Sequence, residues 1–124
     1  MKRGDNMGLF GKFGKKDLPS LNTGKIDGMA QNGNELRLLL TDPILWNGSL
    51  PEKDHLLQLQ EKINNYIAYY ESEQYKSIYP EYRPDNAVIE IHFVSDVTGN
   101  CEKFLKAVNS QIEANSISVE MHTD

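Results

Sequence analysis

This chain predicts an α/β (α+β) fold, a two-layer sandwich in which two helices cover one face of a four-stranded mixed sheet. Three observations carry that expectation. Two stretches repeat their apolar residues every three or four positions, as one face of a helix does. Four others alternate apolar and polar with period two, as half-buried strands do. In chain order the six read β-β-α-β-α-β. Strands of one sheet joined through a helix run parallel with a right-handed crossover, whereas a tight turn makes its strands antiparallel. Strands two, three and four therefore share a direction, and strand one opposes it. With both helices on one side, the other sheet face is left open.

Residues 1–23 set Gly4, Gly8, Gly11 and Gly14 among lysines, a spacing that favours neither helix nor strand. They are read as a flexible basic tail ahead of a single domain over residues 24–124. Leu9, Phe10 and Phe13 between the lysines suit only a weak contact with an anionic membrane surface. The first two strands, Lys25–Gln31 and Glu35–Asp42, flank Asn32-Gly33-Asn34. A two-residue Asn32-Gly33 turn would set Asp27 opposite Leu38. A three-residue loop instead pairs Ala30 with Leu36, Gly28 with Leu38 and Ile26 with Leu40, which gathers the apolar residues on one side, and this register is the expected one.

The first helix is expected over about residues 50–73, with Leu56, Leu59, Ile63, Ile67 and Tyr70 on one face and Leu57 and Tyr66 widening it. His55 falls on its polar side. Ser49-x-x-Glu52 reads as a capping box with Pro51 in the first turn, and Trp46, just ahead, as an anchor packed under the helix start. Pro80 and Pro84 end the loop that follows. Residues 86–95 place Ile89, Ile91 and Phe93 on one face of a strand and Val88, Glu90, His92 and Val94 on the other. The second helix, about 100–114, turns Cys101, Phe104, Leu105, Val108 and Ile112 inward, and Asn115 suits a left-handed stop. In the last strand Ile117, Val119 and Met121 point in, while Ser118, Glu120 and His122 point out.

The net charge of −5 is uneven: residues 1–20 carry +3, which leaves −8 on the rest. An acidic body repels phosphates and has no basic patch interleaved with aromatics, so nucleic acid is not an expected partner. No apolar run reaches the roughly 18 residues that a membrane span needs, and residues 1–20 lack the apolar stretch of a secretory signal. A cytoplasmic location is therefore expected. The single cysteine, Cys101, has no internal partner for a disulfide. Glycine-rich phosphate loops, Cys/His metal spacings and a Ser/His/Asp order with recognisable flanks do not occur in the sequence. No catalytic residue and no cofactor is assigned.

Three features invite a functional reading. Glu90-x-His92 and Glu120-x-His122 stand on the outward faces of strands three and four. If those strands are neighbours, two imidazoles and two carboxylates converge in a set able to hold a divalent ion. A solvated polar sheet face has the same pattern, and it is the expectation preferred here. The open face also mixes Met29, Leu39, Val88 and Val94 with Arg37, Glu90 and His92, a surface suited to a protein partner or to self-association as a homodimer. All six tyrosines fall within seventeen positions, and Tyr69, Tyr75, Tyr79 and Tyr82 are partner-binding candidates beside Glu71, Glu73 and Glu81.

Trp46-Asn47-Gly48-Ser49, the run Leu56-Leu57-Gln58-Leu59-Gln60-Glu61-Lys62-Ile63-Asn64-Asn65-Tyr66 and the later Tyr79-Pro80 together resemble a family of small bacterial proteins. That family carries a W-D-G-S element and an L-Q-E-K-hydrophobic-N-x-Y helix, and the likeness spans about residues 21–123. This chain has Asn47 where the pattern favours Asp. The family is a domain of unknown function, so the resemblance implies a bacterial single-domain protein and transfers no catalytic residue. From the residues themselves, the preferred function is a non-catalytic protein-binding or accessory module. One form of it is an immunity protein that masks a basic toxin. The alternative is a small metal- or ligand-binding enzyme using the Glu/His face.

Overall fold

The computed structural model describes residues 18–123. Strands β1 (Gly28–Asn32), β2 (Glu35–Asp42), β3 (Asn86–Phe93) and β4 (Ile117–Thr123) form one sheet in the order β1-β2-β3-β4. β1 is antiparallel to β2, and β2, β3 and β4 run parallel, as the crossover rule requires. Helix α1 (Glu52–Glu71) links β2 to β3, and α2 (Gly99–Ile112) links β3 to β4. Their inward side chains meet Leu36, Leu38, Leu40, Ile89, Ile91, Phe93, Ile117 and Val119 in one buried cluster. The β-β-α-β-α-β order and the mixed sheet expected from periodicity are both present.

The hairpin register differs from the expected one. Asn32 pairs with Glu35, so only Gly33 and Asn34 form the turn, and Gly33 takes a φ of +61°. Met29 then stands opposite Leu38 and Gln31 opposite Leu36 on the helix side, while Gly28 and Ala30 oppose Leu39 and Arg37 on the open side. Ile26 lies before β1, because Asp27 meets β2 through its side chain: Oδ2 accepts from the Thr41 amide at 2.8 Å. The Asp27 amide donates to the Tyr66 hydroxyl at 2.8 Å. Two long-range polar contacts thus replace the strand pairing that the apolar pattern of Ile26 suggested.

Helix α1 also begins later than expected. Pro51 occupies the N-cap position with no side-chain cap bond, and the His55 amide donates to the Pro51 carbonyl at 2.9 Å. The Ser49–Glu52 capping box does not form; Glu52 instead accepts from Asn100 Nδ2 at 3.0 Å, which ties the starts of α1 and α2 together. The buried stripe is His55, Leu59, Lys62, Ile63 and Tyr66, with Leu56 and Ile67 at its edges, and Leu57 is 53% exposed. Glu73 ends the helix in the left-handed region at φ 61°. At the other helix Thr98 Oγ1 accepts from the Cys101 amide at 3.1 Å, an N-cap bond that fixes its start. The left-handed stop after it falls on Ser116, one residue past Asn115.

Residues 18–23 belong with the domain rather than with a tail. Leu21 is buried, its amide donates to Gln58 Oε1 at 2.8 Å, Thr23 Oγ1 donates to Glu61 at 2.8 Å, and Asn65 donates to the Thr23 carbonyl at 2.6 Å. This segment crosses α1, which the Gly/Lys composition of the stretch before it concealed. Leu9, Phe10 and Phe13 lie outside the described residues. The free edge of β4 is partly closed as well: Asn109 of α2 donates to the Val119 carbonyl at 3.1 Å and accepts from its amide at 2.8 Å. Among the described residues no helix is long and apolar enough to cross a membrane.

Candidate functional site

The parallel register of β3 and β4 sets Glu90 beside Glu120 and His92 beside His122. Side chains directly opposite on neighbouring strands share a face, and these four lie away from the helices. The imidazoles stack with centroids 4.7 Å apart and planes 7° from parallel. His92 Nε2 stands 3.1 Å from Glu90 Oε1, and His122 Nε2 stands 3.1 Å from Glu120 Oε1. One ligand atom each from Glu90, His92 and His122 lies within 4.8 Å of the others.

Arg37 of β2 is the hub of this face, and sequence reasoning gave it no such role. Its guanidinium pairs with Glu35 at 2.6 Å, with Glu120 at 2.6 Å and with Glu90 through Nε. Hydrogen bonds from Arg37, and then from His92, hold the Glu90 carboxyl below its ordinary range. Arg37 does the same to Glu120, against partial burial and with help from His122. Arg37 and Asn86 lower Glu35 likewise. Burial works against the charge on Arg37 itself, but its bonds to Glu120, Glu35 and Glu90 overcome that and push its pKa upward. Three carboxylates around one guanidinium leave the patch negative. Val88, between Arg37 and Ser118, is only 3% exposed although no helix among the described residues covers this side. The signal that could have found the hub is topological: once β2 is placed next to β3, Arg37 and Glu90 share a face.

The other expected open-face residues divide. Leu39 is there, half-buried, while Met29 has moved to the helix side with the corrected register and Val94 lies just past the end of β3. The tyrosines divide too. Tyr75 is buried and stacks on Tyr70 at 5.9 Å, so it offers no surface to a partner; the short 3-10 turn Gln74–Ser77 folds it inward. Tyr69 reaches the Met29 sulfur at 3.8 Å, and Tyr82 donates to the Gly33 carbonyl at 2.8 Å, clasping the β1–β2 turn. Tyr79 and Tyr82 meet edge to face beside Ile78, which is exposed.

Two buried polar pairs on the helix side were not foreseen. His55, assigned to solvent from its helical position, is fully buried, with Nε2 2.7 Å from Asp42 Oδ2. Trp46 is buried over the first turn of α1 and stacks on the His55 ring at 3.6 Å. Trp46 Nε1 and His55 Nδ1 meet no hydrogen-bond partner among the described residues. The second pair joins Lys62, 2% exposed, to Asp27 at 2.9 Å. Burial would raise the Asp27 carboxyl, but its bonds from the Thr41 amide and Lys62 lower it. Burial pushes the Tyr66 hydroxyl up, and that hydroxyl donates to the Leu39 carbonyl. Cys101 lies close enough to Asp42 to feel its charge, yet burial first and that charge second push the thiol up to about 12.

Fold and face together define, among the described residues, a small α+β sandwich with one helix-packed side and one side free of helices that carries organised charge. The chain belongs to a family of unknown function, DUF6572, whose model matches residues 20–124. Comparison with curated proteins and with solved structures returned no match.

Proposed function

We propose that this chain is a non-catalytic binding module that docks a basic protein partner through the uncovered face of its sheet. The observation that supports it is the arrangement of Glu35, Glu90 and Glu120 around Arg37, on a sheet face that no helix among the described residues covers. A negative, pre-organised surface speeds encounter with a positive partner and rejects like-charged ones. The acidic balance of the whole chain acts in the same sense. An immunity-type role, in which the module masks a basic toxin, is one form of this function.

The test is affinity capture from the native host with three forms of the full chain. Wild type is expected to recover one stoichiometric partner. The double substitution Ala30→Lys with Glu35→Lys reverses charge on the open face away from the histidines, and it is expected to lose that partner. Tyr79→Ala is expected to keep it. Loss with Tyr79→Ala but retention with the double variant would move the docking surface to the tyrosine cluster and overturn the proposal. Concentration-dependent doubling of mass by light scattering, abolished by the double variant, would make the occupant a second copy of the chain instead.

A second reading, a small metal- or ligand-binding enzyme, is favoured by the convergence of Glu90, His92 and His122.

A further inference from the structure

We infer that Glu90, His92 and His122 form a binding site for a divalent transition metal of the zinc type. The inference goes beyond the docking proposal and does not rest on it. The sequence pattern alone was equally that of a solvated face, so the inference rests on geometry that only the folded chain supplies.

Zinc-type ions bond imidazole nitrogen and carboxylate oxygen at about 2.0–2.2 Å, which puts ligand atoms about 3.4 Å apart around a tetrahedral centre. His92 Nε2 and Glu90 Oε1 already stand 3.1 Å apart. The ligand atoms of the trio all lie within 4.8 Å of one another, near enough for side-chain rotation to bring them to the spacing of a bound ion. The backbone holds these positions rigidly, since His92 and His122 are direct partners in a continuous parallel ladder. The two rings stack 7° from parallel, which puts both imidazoles on one side of the site, and one ring must turn for its in-plane nitrogen lone pair to aim at a shared ion.

The surroundings supply what such a site needs beyond its ligands. Glu90 is bidentate in role: Oε2 is held by Arg37, while Oε1 faces His92. A ligating carboxylate oriented by a second residue is the usual support of a metal site, and Arg37 is that positioning residue here. Glu120 faces Arg37 and His122, so it stands behind the trio as further negative charge rather than as a fourth ligand. His92 and His122 are 37% and 42% exposed at the side chain, which leaves the solvent side free for water or an exogenous ligand. Three protein ligands with an open position describe a site that binds or exchanges a ligand, not a closed structural one. Two imidazoles select zinc, copper, nickel or cobalt over magnesium and calcium, which prefer oxygen shells.

The experiment uses the untagged full-length chain, because an added histidine tag would bind the same ions. Cobalt(II) chloride is titrated and followed by visible absorption, then displaced with zinc chloride. One cobalt per chain is expected, with the band lost on zinc addition. His92→Ala and His122→Ala are each expected to weaken binding at least tenfold, while Glu113→Gln, at an exposed position after α2, leaves it unchanged. Circular dichroism of each variant checks that the fold persists. On zinc addition, the imidazole nitrogen resonances of His92 and His122 are expected to shift and those of buried His55 to stay. Absence of one-to-one binding, or binding indifferent to both histidine substitutions, would overturn the site.

Discussion

The two faces of the sheet carry polar groups in opposite ways. On the helix side, Lys62 with Asp27 and His55 with Asp42 are one-to-one pairs at 2.9 and 2.7 Å, and Lys62, His55 and Asp42 are closed off from water. On the open side Arg37 is shared among three glutamates that solvent still reaches. A closed pair has no substitute when one member goes, because the survivor keeps its desolvation cost without its partner. An open network redistributes, and water screens what is left. Polar chemistry on the helix side therefore belongs to stability. On the open side it stays within reach of solvent and, on the proposal above, of a partner.

The largest expected effect breaks a closed pair. Asp27→Ala leaves Lys62 buried and unpaired and also removes the acceptor for the Thr41 amide, so it is expected to cost about 3–5 kcal/mol in urea unfolding. Adding Lys62→Met to that variant is expected to recover much of the loss. If the single and double variants are equally unstable, Lys62 is not the source of the cost. Next in size is truncation of the chain to start at Gly24. It removes buried Leu21 and the contacts of residues 18–23 with α1, for an expected loss of about 1.5–3 kcal/mol. An unchanged melting temperature would show that this segment adds nothing to the domain.

The smallest effect is expected on the open face. Arg37→Gln is expected to cost about 1 kcal/mol at neutral pH, since solvent that reaches the three glutamates screens these half-buried pairs. Its signature is in the acid limb. Glu35, Glu90 and Glu120 have folded pKa values below the ordinary 4.5, so their stabilisation is fully present above that pH and is lost as pH falls through the lower folded values. Wild type is expected to lose stability steeply below about pH 4.5, and Arg37→Gln less steeply. Parallel acid limbs would mean that Arg37 is not what lowers those carboxyls.

How legible this was in the sequence follows the same division between the faces. Period-two alternation in Ile89, Ile91 and Phe93 and the helix between each parallel pair needed only local pattern, and both gave the right sheet. The hairpin slipped by one residue because Ile26 looked like the better apolar partner, and nothing local shows that the Asp27 carboxylate takes over the Thr41 amide. His55 and Lys62 were missed for a related reason. A polar residue on a helix reads as solvated unless its buried partner is known, and Asp42 and Asp27 are 13 and 35 residues away. The Glu/His convergence was visible once β3 and β4 were taken as neighbours. Arg37 was not, because its role depends on three glutamates from three strands at once.

The proposal assigns binding to the open face and stability to the covered one. It is tested most directly by measuring partner capture and melting temperature together for Ala30→Lys with Glu35→Lys. The expected result is loss of the partner from a folded domain whose melting temperature falls by no more than about 4–8 °C, as fits about 1 kcal/mol for the broken Arg37–Glu35 pair. Full capture by this variant, or collapse of its fold with the partner lost only for that reason, would contradict the claim.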